Sequence, residues 1–284
     1  MSPFQLVGTP DGKVPLLLAS PHSGTHMPSE FLAHARLSVP ALRRIEDAHV
    51  GALLAPSAAL GIPLLEATHS RAVIDLNRWE DELDPTMFDA PVTPHPRLTD
   101  RVRRGYGLFP RVAGPNQTIH PGRLPAALAA TRIEALHRPW HDCIAKGLSA
   151  SRLRHGYAVL LDVHSMPTLE GAAPAQLVLG DLHGTSASNR LVDWLDAHFS
   201  NAGFRTARNN PYAGGYTTER HGRPAECVHA VQLEFDRALY MDTGSLKPHA
   251  GFGPLADSIA KVMAALMLHL PRLGLEAGLP LAAE

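Results

Sequence analysis

Tyr157-Ala-Val-Leu-Leu-Asp162-Val-His164-Ser165 is a short apolar run closed by polar residues, and its reading decides the fold. Such a run, bounded by turn formers and too short for a helix, has the form of a strand buried on both faces. The same form recurs at Leu16-Leu17-Leu18-Ala19, Ile62-Pro63-Leu64-Leu65, Ala72-Val73-Ile74, Gln176-Leu177-Val178-Leu179 and from Val228 to Phe235. Longer stretches with helical spacing lie between these runs. From Pro40 to Leu60, residues Leu42, Ile45, His49, Leu53 and Leu54 recur at helix intervals, with Pro40 suited to a first turn and Gly61 to a stop. Leu124 to Leu153 predicts a long helix bent at Pro139, and Ser186 to Phe199 and Leu255 to Leu268 predict two more. Strands alternating with helices make an α/β protein with a mixed, mostly parallel sheet, here expected as a single domain over residues 1–284.

Composition narrows the class. With 45% hydrophobic and 19% charged residues, and 26 Lys+Arg against 27 Asp+Glu for a net charge of −1, the chain has no basic field for nucleic acid. Neither a secretory leader nor an apolar run long enough for a membrane span is legible. Cys143 and Cys227 are too few for a disulfide framework or a thiolate metal cluster. The expectation is a cytoplasmic protein without nucleic-acid or membrane partners.

Two further strand-like runs end in polar residues as the first does: Pro15-Leu-Leu-Leu-Ala-Ser-Pro-His22-Ser-Gly24 and Arg71-Ala-Val-Ile-Asp75-Leu-Asn77-Arg78. Ligands bind beyond the carboxyl ends of strands in open α/β sheets, so three polar tips predict one shared site. His22 and His164 both follow apolar runs and precede Ser, which makes them the first candidates for metal ligands. The third ligand is Asp47, or His49 as its substitute, both expected on the helix after the first strand. His137 and His141, four apart, form a weaker metal pair, because no glutamate accompanies them and Pro139 intervenes.

Glu234 falls late in an apolar strand, where burial needs an explanation. Partial desolvation would raise its pKa toward neutrality and suit it to general base work, whereas an ion pair with an arginine would make it structural. Arg71, Asn77 and Arg78 together read as an anion clamp, since guanidinium forks bind carboxylates and stabilise oxyanions. Taken singly, each is an ordinary salt-bridge residue. Glu80 to Pro121, rich in Pro, Gly, Arg and Asp, is longer than an ordinary connection and reads as a lid, a binding excursion or a surface insertion. A second excursion, Asn209 to Arg220, offers Tyr216 and Arg220 for polar recognition beside Gly214 and Gly215.

Pro21-His22-Ser23-Gly24, Ser70-Arg71 through Arg78, Asp162-Val163-His164-Ser165, Gly214-Gly215-Tyr216 and Gln232-Leu233-Glu234 together resemble the N-formylglutamate amidohydrolases, in order from about residue 15 to 245. The resemblance implies a three-layer α/β/α sandwich around a mixed eight-stranded sheet, similar to the zinc carboxypeptidases and aspartoacylases. It further implies one Zn2+ held by His22 and His164, Asn77 and Arg78 gripping a substrate carboxylate, Arg71 polarising the scissile carbonyl, and Glu234 as base. Thr25 stands where the carboxypeptidase pattern has a glutamate ligand, which is why Asp47 enters as the third ligand. The expected substrate is a small acidic N-acyl amino acid, N-formyl-L-glutamate of histidine degradation, with Tyr216 and Arg220 as further contacts. Hydrolysis of another N-acyl amino acid or small peptide, or non-catalytic binding of acidic metabolites, are the alternatives.

Overall fold

The structure, a computed structural model, describes residues 2–276. The strands are β1 (Phe4–Val7), β2 (Leu16–Ser20), β3 (Leu64–Ala67), β4 (Ala158–Met166), β5 (Leu177–Gly180), β6 (Thr206–Arg208) and β7 (Val228–Asp236). They form a seven-stranded sheet in the order β1-β3-β2-β4-β7-β5-β6. The resemblance implied eight strands; the described residues contain seven in the sheet. β2 pairs with β4, β4 with β7, and β5 with β6 in parallel, while β5 runs antiparallel to β7, so the sheet is mixed. The fold is α/β, as the alternation of strands and helices predicted.

The α-helices among the described residues are α1 (Ser29–His34), α2 (Val39–Leu42), α3 (Val50–Ala58), α4 (Asp100–Arg103), α5 (Ala126–Arg132), α6 (Arg138–His155), α7 (Asn189–Asn201), α8 (Tyr216–His221) and α9 (Phe252–His269). The chain gathers into two compact units. One comprises residues 2–5, Pro21–Ala48 and Glu66–Cys143; the other comprises Leu6–Ser20, His49–Leu65 and residues 144–276.

In the second unit, all nine residues of β4 and all nine of β7 are buried. Their Val, Leu, Ala and Phe side chains cover both faces, and removing each large aliphatic group from water contributes roughly 1.5–3 kcal/mol. The apolar stripe Leu191, Val192, Leu195 and Phe199 is buried along α7, at the spacing of one helical face. α3 and α9 pack against each other, and α9 buries Leu255, Ile259, Val262, Met263 and Leu266. α8 packs against β4 and β7.

The first unit carries the excursion after Glu80, which is folded: α4 lies in it, a 3-10 turn covers Pro85–Met87, and bridges join Phe88 to Leu124 and Val112 to Thr118. Here two sequence expectations are corrected. Ala72-Val73-Ile74 is not a strand: the Ala72 and Val73 amides bond back to the Ser70 hydroxyl and carbonyl, and the Val73 carbonyl accepts from the Arg132 side chain instead of from a neighbouring strand. The long helix from Leu124 contains a π-turn at Ile133–His137 immediately before α6, in which Pro139 occupies the first turn. A proline in an uninterrupted helix would strike the carbonyl four residues back, and a wider turn relieves that contact.

The predicted helix from Pro40 to Leu60 is also broken. α2 ends at Leu42, a 3-10 turn covers Arg43–Ile45, and α3 starts at Val50 after His49 takes a left-handed backbone with φ 67°. The Asp47 amide donates to the His22 carbonyl at 2.9 Å, and this tertiary bond holds residues 46–49 outside the helix.

His221, at the end of α8, is 3% exposed. Burial, reinforced by Arg220 and Arg223, pushes its imidazole down to about 3 from an ordinary 6.5. The unfolded chain therefore takes up this proton near pH 6.5 and the native chain only near 3, so the stability it contributes above pH 6.5 is lost as pH falls through that window. Urea unfolding of His221→Leu between pH 6.5 and 4 should show a shallower fall in stability than the parent; identical slopes would contradict it.

Candidate active site

The chain leaves β2 at Ser20 and turns through Pro21-His22-Ser23-Gly24. A Cβ on Gly24 would sit 2.3 Å from the His69 carbonyl oxygen, so only glycine permits this close passage of backbone. The turn delivers His22 into the interior, where it is 2% exposed and both ring nitrogens face carboxylates. Nε2 lies 2.7 Å from Asp75 Oδ1, and Nδ1 lies 3.2 Å from Asp47 Oδ2.

Asp75 is fully buried and acts as a hub. Besides His22, its Oδ1 accepts from the Asn77 amide at 2.9 Å, and its Oδ2 accepts from Arg71 Nη2 at 2.6 Å, with Arg78 Nη2 at 3.7 Å. Burial alone would raise its pKa, but Arg71, Arg78 and His22 outweigh burial and hold the carboxyl well below its usual range. The carboxylate is therefore ionised.

Arg71 also donates toward the Ile45 carbonyl at 3.4 Å. Arg78 is 8% exposed; its Nε donates to the Tyr106 carbonyl at 2.9 Å and its Nη1 to the Asn77 carbonyl at 2.7 Å. Burial lowers the Arg78 pKa from its ordinary value, and Asp75 offsets part of the effect. Of its three guanidinium nitrogens, Nη2 is the one not spent on backbone. The clamp segment is thus far more internally bonded than the sequence suggested.

In the second unit, β4 and β7 run in register with Asp162 beside Gln232 and His164 beside Glu234. Side chains alternate along a strand, and register partners share a face, so these four polar groups form a square on one side of the sheet. Val163 and Leu233 occupy the opposite face. Within the square, His164 Nε2 lies 2.9 Å from Asp162 Oδ2, and Gln232 Nε2 donates to Glu234 Oε1 at 2.8 Å. All four are buried.

Tyr216 and Arg220, four apart on α8, are brought together: an Arg220 Nη1 donates to the Tyr216 hydroxyl, and the guanidinium carbon stands 5.7 Å from the ring centroid. Gly214 admits the turn before α8 with φ 130°, where a Cβ would meet Thr218 Oγ1 at 2.6 Å.

His22, Asp47 and His164 each offer one ligand atom, and these atoms lie within 4.8 Å of one another, a buried group that can hold a metal ion. His49 is not in it; its Nε2 bonds to the Leu246 carbonyl at 2.8 Å and its ring meets Phe252 edge-on. Thr25 is exposed. His137 and His141 bond through Nε2 to the carbonyls of Arg78 and Leu76.

The donor chemistry fits a metal. Each histidine sets Nε2 against a carboxylate, Asp75 or Asp162, and an Nε2–H donated there leaves the lone pair on Nδ1. With its Nε2 turned to Asp75, His22 sets Nδ1 3.2 Å from Asp47 Oδ2, so a nitrogen and a carboxylate oxygen that can both ligate a cation stand side by side.

The family model for N-formylglutamate amidohydrolase matches residues 14–241. The chain belongs to that family. It is 31% identical over 272 residues to an N-formylglutamate deformylase of Pseudomonas aeruginosa, covering 93% of this chain and 96% of the relative. It is 30% identical over 241 residues to one of Pseudomonas putida, covering 81% and 83%. Among solved structures, an N-formylglutamate amidohydrolase from Ralstonia eutropha JMP134 superposes with a TM-score of 0.90 at 32% identity, over 96% of this chain and 99% of that one. An Agrobacterium tumefaciens protein at 18% identity shares the fold with a TM-score of 0.67, over 95% and 96%.

Within this amidohydrolase chain, sequence reading places Asp75 beside its Arg and Asn neighbours, as the bonds to Arg71 and the Asn77 amide show, but it missed Asp162, Gln232 and the link from Asp75 to His22. Asp162 and Gln232 carry a detectable signal, each standing two positions before His164 or Glu234 and so on the same face of a strand. The link from Asp75 to His22 has no sequence signal, since 53 positions separate them. Asp75→Asn should cost about 3–5 kcal/mol in urea unfolding, because it strips buried cationic neighbours of their counter-charge. A loss below about 1 kcal/mol would show that Asp75 is not the hub.

Proposed function

We propose that the protein is a zinc-dependent amidohydrolase that cleaves the formyl amide of N-formyl-L-glutamate to formate and L-glutamate, as a step in histidine degradation. The reading is supported by the near full-length similarity to N-formylglutamate deformylases together with the buried His22, Asp47 and His164 group. Two imidazole nitrogens and one carboxylate oxygen are the donor set of catalytic zinc. When bound, such an ion supplies Lewis acidity toward the formyl carbonyl and lowers the pKa of water.

The remaining chemistry is assigned to the chain's own side chains. Glu234 accepts a proton from the attacking water as its oxygen adds to the formyl carbon. The same carboxyl then delivers the proton to the amide nitrogen as the C–N bond breaks, so that formate and the free amine leave. Gln232 fixes one oxygen of this carboxylate through its 2.8 Å bond. Arg71 bears part of the oxyanion charge, and Asp75 orients its guanidinium. Asn77 and Arg78, with Tyr216 and Arg220, hold the carboxylates of the glutamyl part.

Purified protein should turn over N-formyl-L-glutamate faster than N-acetyl-L-glutamate or N-formyl-L-aspartate, assayed by release of the amino acid. Preference for an acetyl substrate would overturn the formyl assignment. Glu234→Gln should lose turnover by a factor of about 10²–10⁴ while keeping its metal, and His164→Ala should lose metal and activity together. Elemental analysis beside the rate assay separates the two outcomes, and a wild-type protein that is active without metal would remove the zinc.

A further inference from the structure

Three basic side chains of one helical stretch take carbonyls from the segment that carries Asp75, Asn77 and Arg78. Arg132 Nη1 donates to the Val73 carbonyl at 3.1 Å, His141 Nε2 meets the Leu76 carbonyl at 2.9 Å, and His137 Nε2 meets the Arg78 carbonyl at 2.8 Å. Because a carbonyl only accepts, both imidazoles present Nε2–H. The three side chains are 6%, 0% and 0% exposed, so water does not compete for these bonds.

The spacing of the three depends on the π-turn. In a continuous α-helix, residues 132 and 137 would point in different directions, whereas the i→i+5 bonding of Ile133–His137 returns position 137 to the face of position 132. α-helical spacing then carries His141 one turn further, with its ring centroid 4.5 Å from that of His137. The extra residue converts a helix face into a ladder of donors. Those donors replace the neighbouring strand that the Val73–Arg78 backbone lacks.

We propose that Arg132, His137 and His141 are positioning residues that fix the Val73–Arg78 backbone and thereby the presentation of Asn77 and Arg78 to the substrate carboxylate. This inference rests on the deformylase reading for its kinetic consequence, but its structural part stands independently. His141 bonds the peptide that precedes Asn77, whereas Asp75 is held separately by His22, Arg71 and the Leu108 carbonyl, so loss of the His141 bond displaces Asn77 and Arg78 more than the groups Asp75 orients, and KM should move more than kcat.

The test uses the full chain with its metal. His141→Leu should raise KM for N-formyl-L-glutamate on the order of tenfold or more, with kcat within about threefold and metal content unchanged. His141→Gln, whose amide nitrogen reaches the place of Nε2, should restore KM to near the parent value. His141→Asn, which keeps polarity but stops short of the Leu76 carbonyl, should behave as His141→Leu and serves where the leucine variant does not fold. Hydrogen exchange of the Asn77 and Arg78 amides should quicken on the order of tenfold in the Leu and Asn variants and not in the Gln variant. Unchanged KM with unchanged exchange in Leu or Asn overturns the proposal, as does a Gln variant no better than Leu. If the parent does not cleave N-formyl-L-glutamate, the functional reading fails while the exchange measurement still decides the ladder.

Discussion

The buried carboxylate of Asp75 holds together groups that would otherwise be incompatible with a protein interior. It accepts from His22, Arg71 and the Asn77 amide and faces Arg78, all within one compact unit. An isolated ion there would be expelled or neutralised, and paired guanidiniums without their counter-charge would fare no better. Because one oxygen serves His22 and the other serves Arg71, the orientation of the candidate ligand and that of the candidate oxyanion donor are set by the same two atoms. Such sharing makes the geometry specific, since moving either partner costs the other its bond.

A parallel arrangement stands in the second unit, built by other means. There no loop gathers the groups; the parallel pairing of β4 and β7 does, placing His164 beside Glu234 and Asp162 beside Gln232. Each functional candidate has its orienting partner two residues earlier on its own strand. A sheet interior is a rigid support, so these side chains hold their directions without conformational entropy being lost again when a ligand arrives.

How much of this was legible in the sequence follows from which forces acted locally. β4 and β7 were recognisable because a short apolar run bounded by turn residues is itself the form of a strand buried on both faces, and so the late positions of His164 and Glu234 on their strands followed. α7 and α9 were equally plain from their apolar stripes. Asp47 lies 3.2 Å from the His22 ring, but the sequence placed it on a helix that does not exist there, since the bond from its amide to the His22 carbonyl is tertiary. Ala72-Val73-Ile74 has strand composition yet lies in turns, because donors near residues 132 and 141 take its carbonyl groups and those that follow. The π-turn was hidden for the same reason: its residues are good helix formers, and only packing reveals the additional one.

The common facing of His164 and Glu234 has a consequence for how this family can change. Strand parity is binary, so adding or removing one residue within β4 ahead of His164 would turn the imidazole toward the greasy layer now occupied by Val163 and bring an aliphatic group into its place. A change in length that keeps this facing must therefore fall in the connections outside these two strands. Those connections can drift, lengthen or exchange while the parity of two nine-residue segments stays frozen.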